Sequence, residues 1–326
     1  MSDAPMTIGM IGLGRMGANM TRRLLERGHD VVVFDRDPDA VVAAAALGAR
    51  GTGSLAELAA ALEPPRTVWV MVPSGAPTHE TVEALGGVLS PGDTIVDGGN
   101  SHYRDAQRWS AILSERGIDL VDAGVSGGVW GLDLGYCLMV GGRPETVTRL
   151  APIFTSLAPA DGFAHVGPSG AGHYAKMIHN GIEYGLLQAY AEGFALLDAA
   201  PELITDPHQL AALWNHGSVV RSWLLELAEL ALSDPEQFGR VHGYLEDSGE
   251  GRWTVEESTA RAIATPVIAA SLYARFSSRT PDSYAGRIIA ALRNEFGGHK
   301  LFATADGSVP DGVAAGPGGE ATVGVP

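Results

Sequence analysis

The segment Gly12-Leu13-Gly14-Arg15-Met16-Gly17 constrains the fold more than any other stretch of the chain. It ends an apolar run, "TIGMIGLG" (7–14), and leads into a helical pattern, "ANMTRRLLERG" (18–28). Alone, a GxGxxG run is a weak signal; between a strand and a helix it has a specific use. The first glycine permits a tight turn, the second lets backbone approach a pyrophosphate, and the third lets helix and strand pack closely. The helix N-terminus then faces the phosphates. Asp35 closes the next apolar run, "DVVVFD" (30–35), where dinucleotide folds place an acid against the adenosine ribose hydroxyls. A carboxylate there repels a 2′-phosphate, so NAD is expected over NADP. Arg36 follows with a cation, which keeps NADP open as the alternative.

Further apolar runs follow at 67–73, 93–99, 118–124, 136–142 and 163–167, with helical patterns between them. Alternating strands and helices predict an α/β fold whose first part, residues 1–167, is a Rossmann-type doubly wound parallel sheet binding a dinucleotide. After residue 168 the strand signals stop. Helical patterns at 169–200, 207–216, 218–232, 254–261, 264–278 and 281–295 predict an all-α second domain over 168–302. Residues 303–326 are rich in Gly, Ala, Pro and Val without periodicity and are expected to be a disordered tail.

The net charge of −16 excludes a nucleic-acid binder, which needs clustered Lys and Arg. An anionic ligand would need local cations working against the overall field. One cysteine, Cys137, rules out an intrachain disulfide. No signal peptide and no run of about 20 apolar residues is present, so a cytoplasmic protein without membrane partners is expected. His165, His173 and His179 lack the cysteine or carboxylate spacing of a metal site, and no metal is expected.

Two glycine turns at strand ends carry polar tips: Ser126-Gly127-Gly128, able to offer N–H groups and a hydroxyl to a carboxylate, and "DGGNSHY" (97–103) with Asn100. In an open α/β sheet such turns converge at the carboxyl ends of the strands, where ligands bind. The helical stretch "KMIHNGIEYG" (176–185) places Lys176, His179, Asn180, Glu183 and Tyr184 on one face of about 140°. Met177, Ile178, Ile182 and Leu186 fill much of the remaining circumference, which predicts a buried helix. A buried polar stripe needs partners, either an internal ion-pair network or a ligand.

Together these motifs resemble the 6-phosphogluconate dehydrogenase family, in its short bacterial form. The resemblance is carried by "IGLGRMGANM" (11–20), "IVDGGNSHY" (95–103), "GVSGGVWGLDLGYCLMVGG" (124–142), "GHYAKMIHNGIEYG" (172–185), "DSGEGRWT" (247–254) and "RNEFGGHK" (293–300). It implies oxidation and decarboxylation of 6-phosphogluconate to ribulose 5-phosphate, within the pentose phosphate pathway. Lys176 would be the general base and Glu183 the acid, which requires Glu183 to sit protonated. Asn100, Ser126, Gly127, Gly128, His179 and Asn180 would hold the substrate's carboxylate and hydroxyls. Tyr184 and Arg275 would hold its phosphate, and Arg293 and His299 would arrive from a neighbouring subunit, implying a homodimer. Gly12, Leu13, Gly14, Arg15, Met16, Gly17, Asp35, Arg36, Val72 and Asn100 form the expected cofactor set. Two departures stand out. The lysine-bearing "GQKGTGKWT" loop of longer forms is replaced by "SGEGRWT", where Arg252 is the available cation, and there is room for only one copy of the helical domain. Three alternatives stay open: another 3-hydroxyacid dehydrogenase, the same reaction with a 5-deazaflavin acceptor, and a catalytically silent metabolite-binding protein.

Overall fold

The computed structural model describes residues 5–245, 248–280, 283–285 and 287–289. Arg293, His299 and the segment 303–326 lie outside the described residues, as does most of the helix expected at 281–295. Eight strands form one sheet: β1 (Thr7–Ile11), β2 (Asp30–Phe34), β3 (Arg50–Gly51), β4 (Thr67–Val70), β5 (Thr94–Asp97), β6 (Asp119–Ser126), β7 (Cys137–Gly141) and β8 (Phe163–Gly167). Their order is β3-β2-β1-β4-β5-β6-β7-β8. The connecting helices are α1 (Arg15–Glu26), α2 (Pro38–Ala46), α3 (Leu55–Ala60), α4 (Ala76–Val88), α5 (Tyr103–Ser114), α6 (Gly131–Leu134) and α7 (Pro144–Leu157).

Both faces of the sheet are covered, which is why its strands read as continuous apolar runs. Ile8, Met10, Val31, Val33, Trp69, Val96 and Val121 point to one core. Their neighbours Ile11, Val32, Val68, Val70, Ile95 and Leu120 point to the other. The buried guanidinium of Arg23 ties α1 to the far side of the first core, donating to the carbonyls of Ser156 at 3.1 Å and Leu132 at 2.9 Å.

One strand departs from the expected parallel sheet. β7 runs antiparallel to β6, with Ser126 opposite Cys137. The link between them is too short for a crossover, since a parallel return needs a dozen or more residues. The two-residue β3 carries too little pattern to be read from sequence.

After β8 the chain is helical: α8 (Ala171–Asp198), α9 (Pro207–Trp214), α10 (Trp223–Leu232), α11 (Pro235–Phe238), α12 (Glu250–Ala260) and α13 (Pro266–Ser277). α10 starts later than expected because the Ser222 side chain caps it, accepting from the Leu225 N–H. α12 starts earlier, behind Gly249 at φ +95°. The expectation that α8 is buried all round is corrected. Met177 is 3% exposed, but Ile182 is 53% and Leu186 47% exposed.

The junction of α8 with the sheet positions everything that follows. Gly170, the residue before α8, has no side chain to cap the helix. The cap comes from β6: Asp122, fully buried, accepts from the Gly170 N–H at 2.5 Å and the His173 N–H at 2.8 Å. An anion at a helix N-terminus is favoured both by these N–H groups and by the helix dipole. The contact is closed by glycines. A Cβ on Gly172 would lie 2.4 Å from the Asp122 and Met139 carbonyl oxygens, and one on Gly124 would lie 2.5 Å from the Lys176 Cβ. Replacing Asp122 by Asn leaves one N–H facing an amide NH2. We expect Asp122→Asn to lower the unfolding free energy by about 2 kcal/mol, read as a lower urea midpoint; an unchanged midpoint would mean the cap contributes nothing.

Candidate active site

Two clefts open at the carboxyl ends of the strands. The first, of about 540 Å³, sits where the strand order reverses between β1 and β4. Gly12, Gly14, Asp35, Arg36 and Val72 line it. Gly12 has φ +89°. A Cβ there would lie 2.4 Å from the Met71 carbonyl oxygen, and one on Gly17 would lie 1.9 Å from the Gly12 carbonyl oxygen. Only glycine fits either position. Gly14 differs: nothing lies within 4 Å of where its side chain would begin. Its role is to leave backbone open rather than to pack. The Asp35 carboxylate accepts from the Leu13 N–H at 2.5 Å and the Asp37 N–H at 2.8 Å, so it braces the glycine loop as well as facing the cleft. Leu13 is buried and Arg15 exposed at the start of α1.

The second cleft, of about 1060 Å³, lies between the β6 turn and α8. It is lined by Ser126, Gly127, Gly128, Lys176, His179, Asn180 and Glu183, with Met16 of the glycine loop at its edge. Lys176 donates from Nζ to Asn180 Oδ1 at 2.7 Å. His179 Nδ1 is 2.9 Å from the same oxygen, and His179 Nε2 is 3.4 Å from Ser126 Oγ. Glu183 Oε2 lies 3.9 Å from His179 Nδ1. Burial pulls the Lys176 ammonium below its ordinary value, although Glu250, Glu183 and Cys137 act against this.

Tyr184 and Arg275 do not line this cleft. Tyr184 is buried beside it, with the Arg275 guanidinium 3.3 Å from its ring centroid. Its hydroxyl is 3.4 Å from Ser248 Oγ. Arg252 lies 5.5 Å over the ring of Phe276, the neighbour of Arg275. Ser248, Arg252 and Arg275 therefore gather at the meeting of α12 and α13. Asn100 reaches the Lys176 group indirectly, through a residue that the sequence reading passed over.

That residue is Glu250. It is 4% exposed, accepts from Asn180 Nδ2, and faces Asn100, whose amide NH2 points at Glu250 Oε1 at 2.5 Å in its satisfied orientation. Burial pushes the Glu250 carboxyl up, while Lys176, Asn180 and Asn100 hold it down. Glu183, by contrast, keeps 38% of its side chain exposed. The signal was an acid between two glycines in "SGEGRWT". Its inward direction depends on the backbone at Gly249, which no local pattern states.

The three histidines go to separate partners. His165 Nε2 bonds the Gly142 and Gly167 carbonyls at 3.0 and 2.8 Å. His173 Nε2 is 3.2 Å from Asp97 Oδ2, both side chains buried. Burial alone would lower the His173 pKa; Asp97 reverses this and raises it.

Comparison with known proteins gives two consecutive matches along the chain. Residues 7–167 match the NAD binding domain of 6-phosphogluconate dehydrogenase, and residues 172–293 match that family's C-terminal domain. Bacillus subtilis YqeC, whose own assignment as a 6-phosphogluconate dehydrogenase is provisional, is 45% identical over 90% of this chain and 98% of its own. The NAD(+)-dependent, decarboxylating 6-phosphogluconate dehydrogenase of Haloferax volcanii is 42% identical over 91% of this chain and 98% of its own. Among solved structures, Plasmodium falciparum 6-phosphogluconate dehydrogenase superposes with a TM-score of 0.78 at 25% identity, covering 93% of this chain and 67% of that one. On both domain matches and these relatives, the chain belongs to the 6-phosphogluconate dehydrogenase family.

Proposed function

We propose that the chain oxidises and decarboxylates 6-phosphogluconate to ribulose 5-phosphate and carbon dioxide, with NAD as the preferred acceptor. One observation supports this most: Lys176, His179, Asn180 and Glu183 line one cleft with the Ser126-Gly127-Gly128 turn. Relatives named as decarboxylating enzymes point the same way, and two of them carry NAD(+) and NADP(+) respectively in their names. The reading retains the division into a dinucleotide-binding domain, 1–167, and a helical substrate domain, 168–302. It places the enzyme in the cytoplasm and in the pentose phosphate pathway. Among the described residues, no helix is long and apolar enough to cross a membrane.

The first cleft suits a dinucleotide. Gly14 leaves backbone open to a pyrophosphate, and Asp35 faces the position of a ribose diol. A nicotinamide held there would supply the acceptor for the hydride that leaves carbon 3 of the substrate. Lys176, as a neutral amine, takes the proton of the 3-hydroxyl. The β-keto acid so formed loses carbon dioxide, and the Lys176 ammonium then steadies the enolate oxygen. Glu183 returns a proton to carbon 1 of the enediol, the carbon that was carbon 2 of the substrate. Asn100, His179, Asn180 and the Ser126 turn hold the carboxylate and hydroxyls. On this reading Arg275 and Tyr184 take the phosphate from beside the cleft, with Arg252 as the substitute for the lysine that longer forms carry. The partner subunit's Arg293 and the partner subunit's His299 complete that site in a homodimer. The exposed apolar residues of the helical half outside the cleft, Leu196, Leu203 and Leu213 among them, support such pairing.

Lys176→Ala should lower kcat by about 10²–10⁴-fold while calorimetry shows NAD binding intact. In the parent enzyme kcat/KM should rise with pH as Lys176 gives up its proton, with the limb below the 10.5 of an ordinary lysine. Near-parental turnover in the variant removes Lys176 from the reaction. Asp35→Asn removes the charge facing a 2′-phosphate at nearly constant shape. The NAD-to-NADP ratio of kcat/KM should fall about tenfold, the equivalent of about 1.4 kcal/mol; an unchanged ratio would refute the ribose role. Light scattering on the purified protein should give twice the chain mass of 33.9 kDa. A monomer that turns over normally would exclude a shared site.

A further inference from the structure

Glu250 heads α12 and is buried in the site, yet nothing in the reaction above uses it. Its place is unusual for an enzyme of an anionic substrate. A buried carboxylate repels the ligand and is costly to keep dry unless its oxygens are satisfied. Here they are satisfied by two side-chain amides from different parts of the chain: Asn180 on α8 and Asn100 after β5.

The Asn180 amide has one oxygen and one NH2, and they cannot both face the same way. With its NH2 committed to Glu250, its oxygen must face the opposite side. On that side sit Lys176 Nζ at 2.7 Å and His179 Nδ1 at 2.9 Å. Without a carboxylate at 250 the amide is free to turn over and present a donor to a donor. We propose that Glu250 is a positioning residue: through the Asn180 amide it fixes the orientation of Lys176, and through Asn100 it ties that orientation to the strand-end loop of the nucleotide-binding half.

Electrostatics supports the geometry. The titratable groups that act on Lys176 are Glu250 on α12, Glu183 on its own helix and Cys137 on β7. Glu250 in turn acts on His173, the partner of Asp97. A carboxylate beside Lys176 favours its ammonium, so replacing it with a neutral group makes the lysine easier to deprotonate. Glu250 therefore does two opposed things: it holds the amine in place and holds its proton on.

The role of Lys176 as base rests on the function proposed above, but the coupling between Glu250 and Lys176 does not. The chain has two lysines, Lys176 and Lys300, so an NMR titration of the full protein labelled at lysine Cε gives two resonances, assigned by Lys176→Arg. In Glu250→Gln, which is nearly isosteric, the Lys176 resonance should titrate at lower pH than in the parent. The rising limb of kcat/KM should move the same way, and kcat should fall about tenfold or more, with NAD affinity unchanged. Glu250→Ala should reproduce the shift, which guards against misfolding of the glutamine variant. An unmoved Lys176 titration in a folded variant overturns the proposal. So does a change confined to the KM for 6-phosphogluconate, which would make Glu250 a simple ligand contact. If the parent does not turn over 6-phosphogluconate but the resonance still shifts, the coupling stands and the proposed reaction falls.

Discussion

The site depends on a buried carboxylate capping a helix it does not belong to. Asp122 reaches from β6 to the first N–H groups of α8, and its bonds tie the start of that helix to the sheet. The closeness of that contact follows from Gly124, Gly141 and Gly172, where any side chain would strike backbone or the Asp122 carboxylate. Lys176 emerges between one and two turns later, directly over Gly124. The proposed base is thus placed by backbone contact with the sheet rather than by a loop. Interiors packed this tightly transmit displacement instead of absorbing it.

Among the described residues, Asp97, Glu250 and Arg23 are buried charged groups held by specific partners. Asp97 is raised by burial, but His173, Ser101 and the Gly99 N–H more than offset this and hold it low. Glu250 is shared by two amides. Arg23 ends on two carbonyls. Such groups add little net stability compared with apolar residues of equal size, but breaking one pair leaves an uncompensated charge. Their effect is to allow one arrangement of strand ends and helices and to penalise near alternatives. A chain of net charge −16 also needs local cations for an anionic substrate, and Lys176, Arg252 and Arg275 lie on three neighbouring helices around the same region.

Local geometry was legible in the sequence and tertiary direction was not. The glycine loop, Asp35 and the polar face of α8 were readable because each is defined within a few residues by turn geometry or helical period. The antiparallel β7 was hidden because strand patterns carry no direction; only the short link from β6 decides it. Ile182 and Leu186 do not fit the expected burial because an apolar residue lining an open cleft has the same helical pattern as one that is covered. Glu250 was missed because its burial is decided by one left-handed glycine and by two asparagines far away in sequence. Tyr184 and Arg275 were expected in one site with Lys176, and the fold places them beside it, stacked on each other.

The start of α1 is a thin partition between the two clefts. Gly12 and Gly14 face one and Met16 faces the other, and the two clefts share no lining residue. On the proposed reading, changes at Asp35 or Arg36 would alter the nucleotide cleft without touching the wall against which a sugar acid would lie. Under that reading selection could revise the electron acceptor while leaving the carbon chemistry alone. A lineage moving between metabolic economies rich in one nicotinamide pool or the other would need to rewrite only the end of β2.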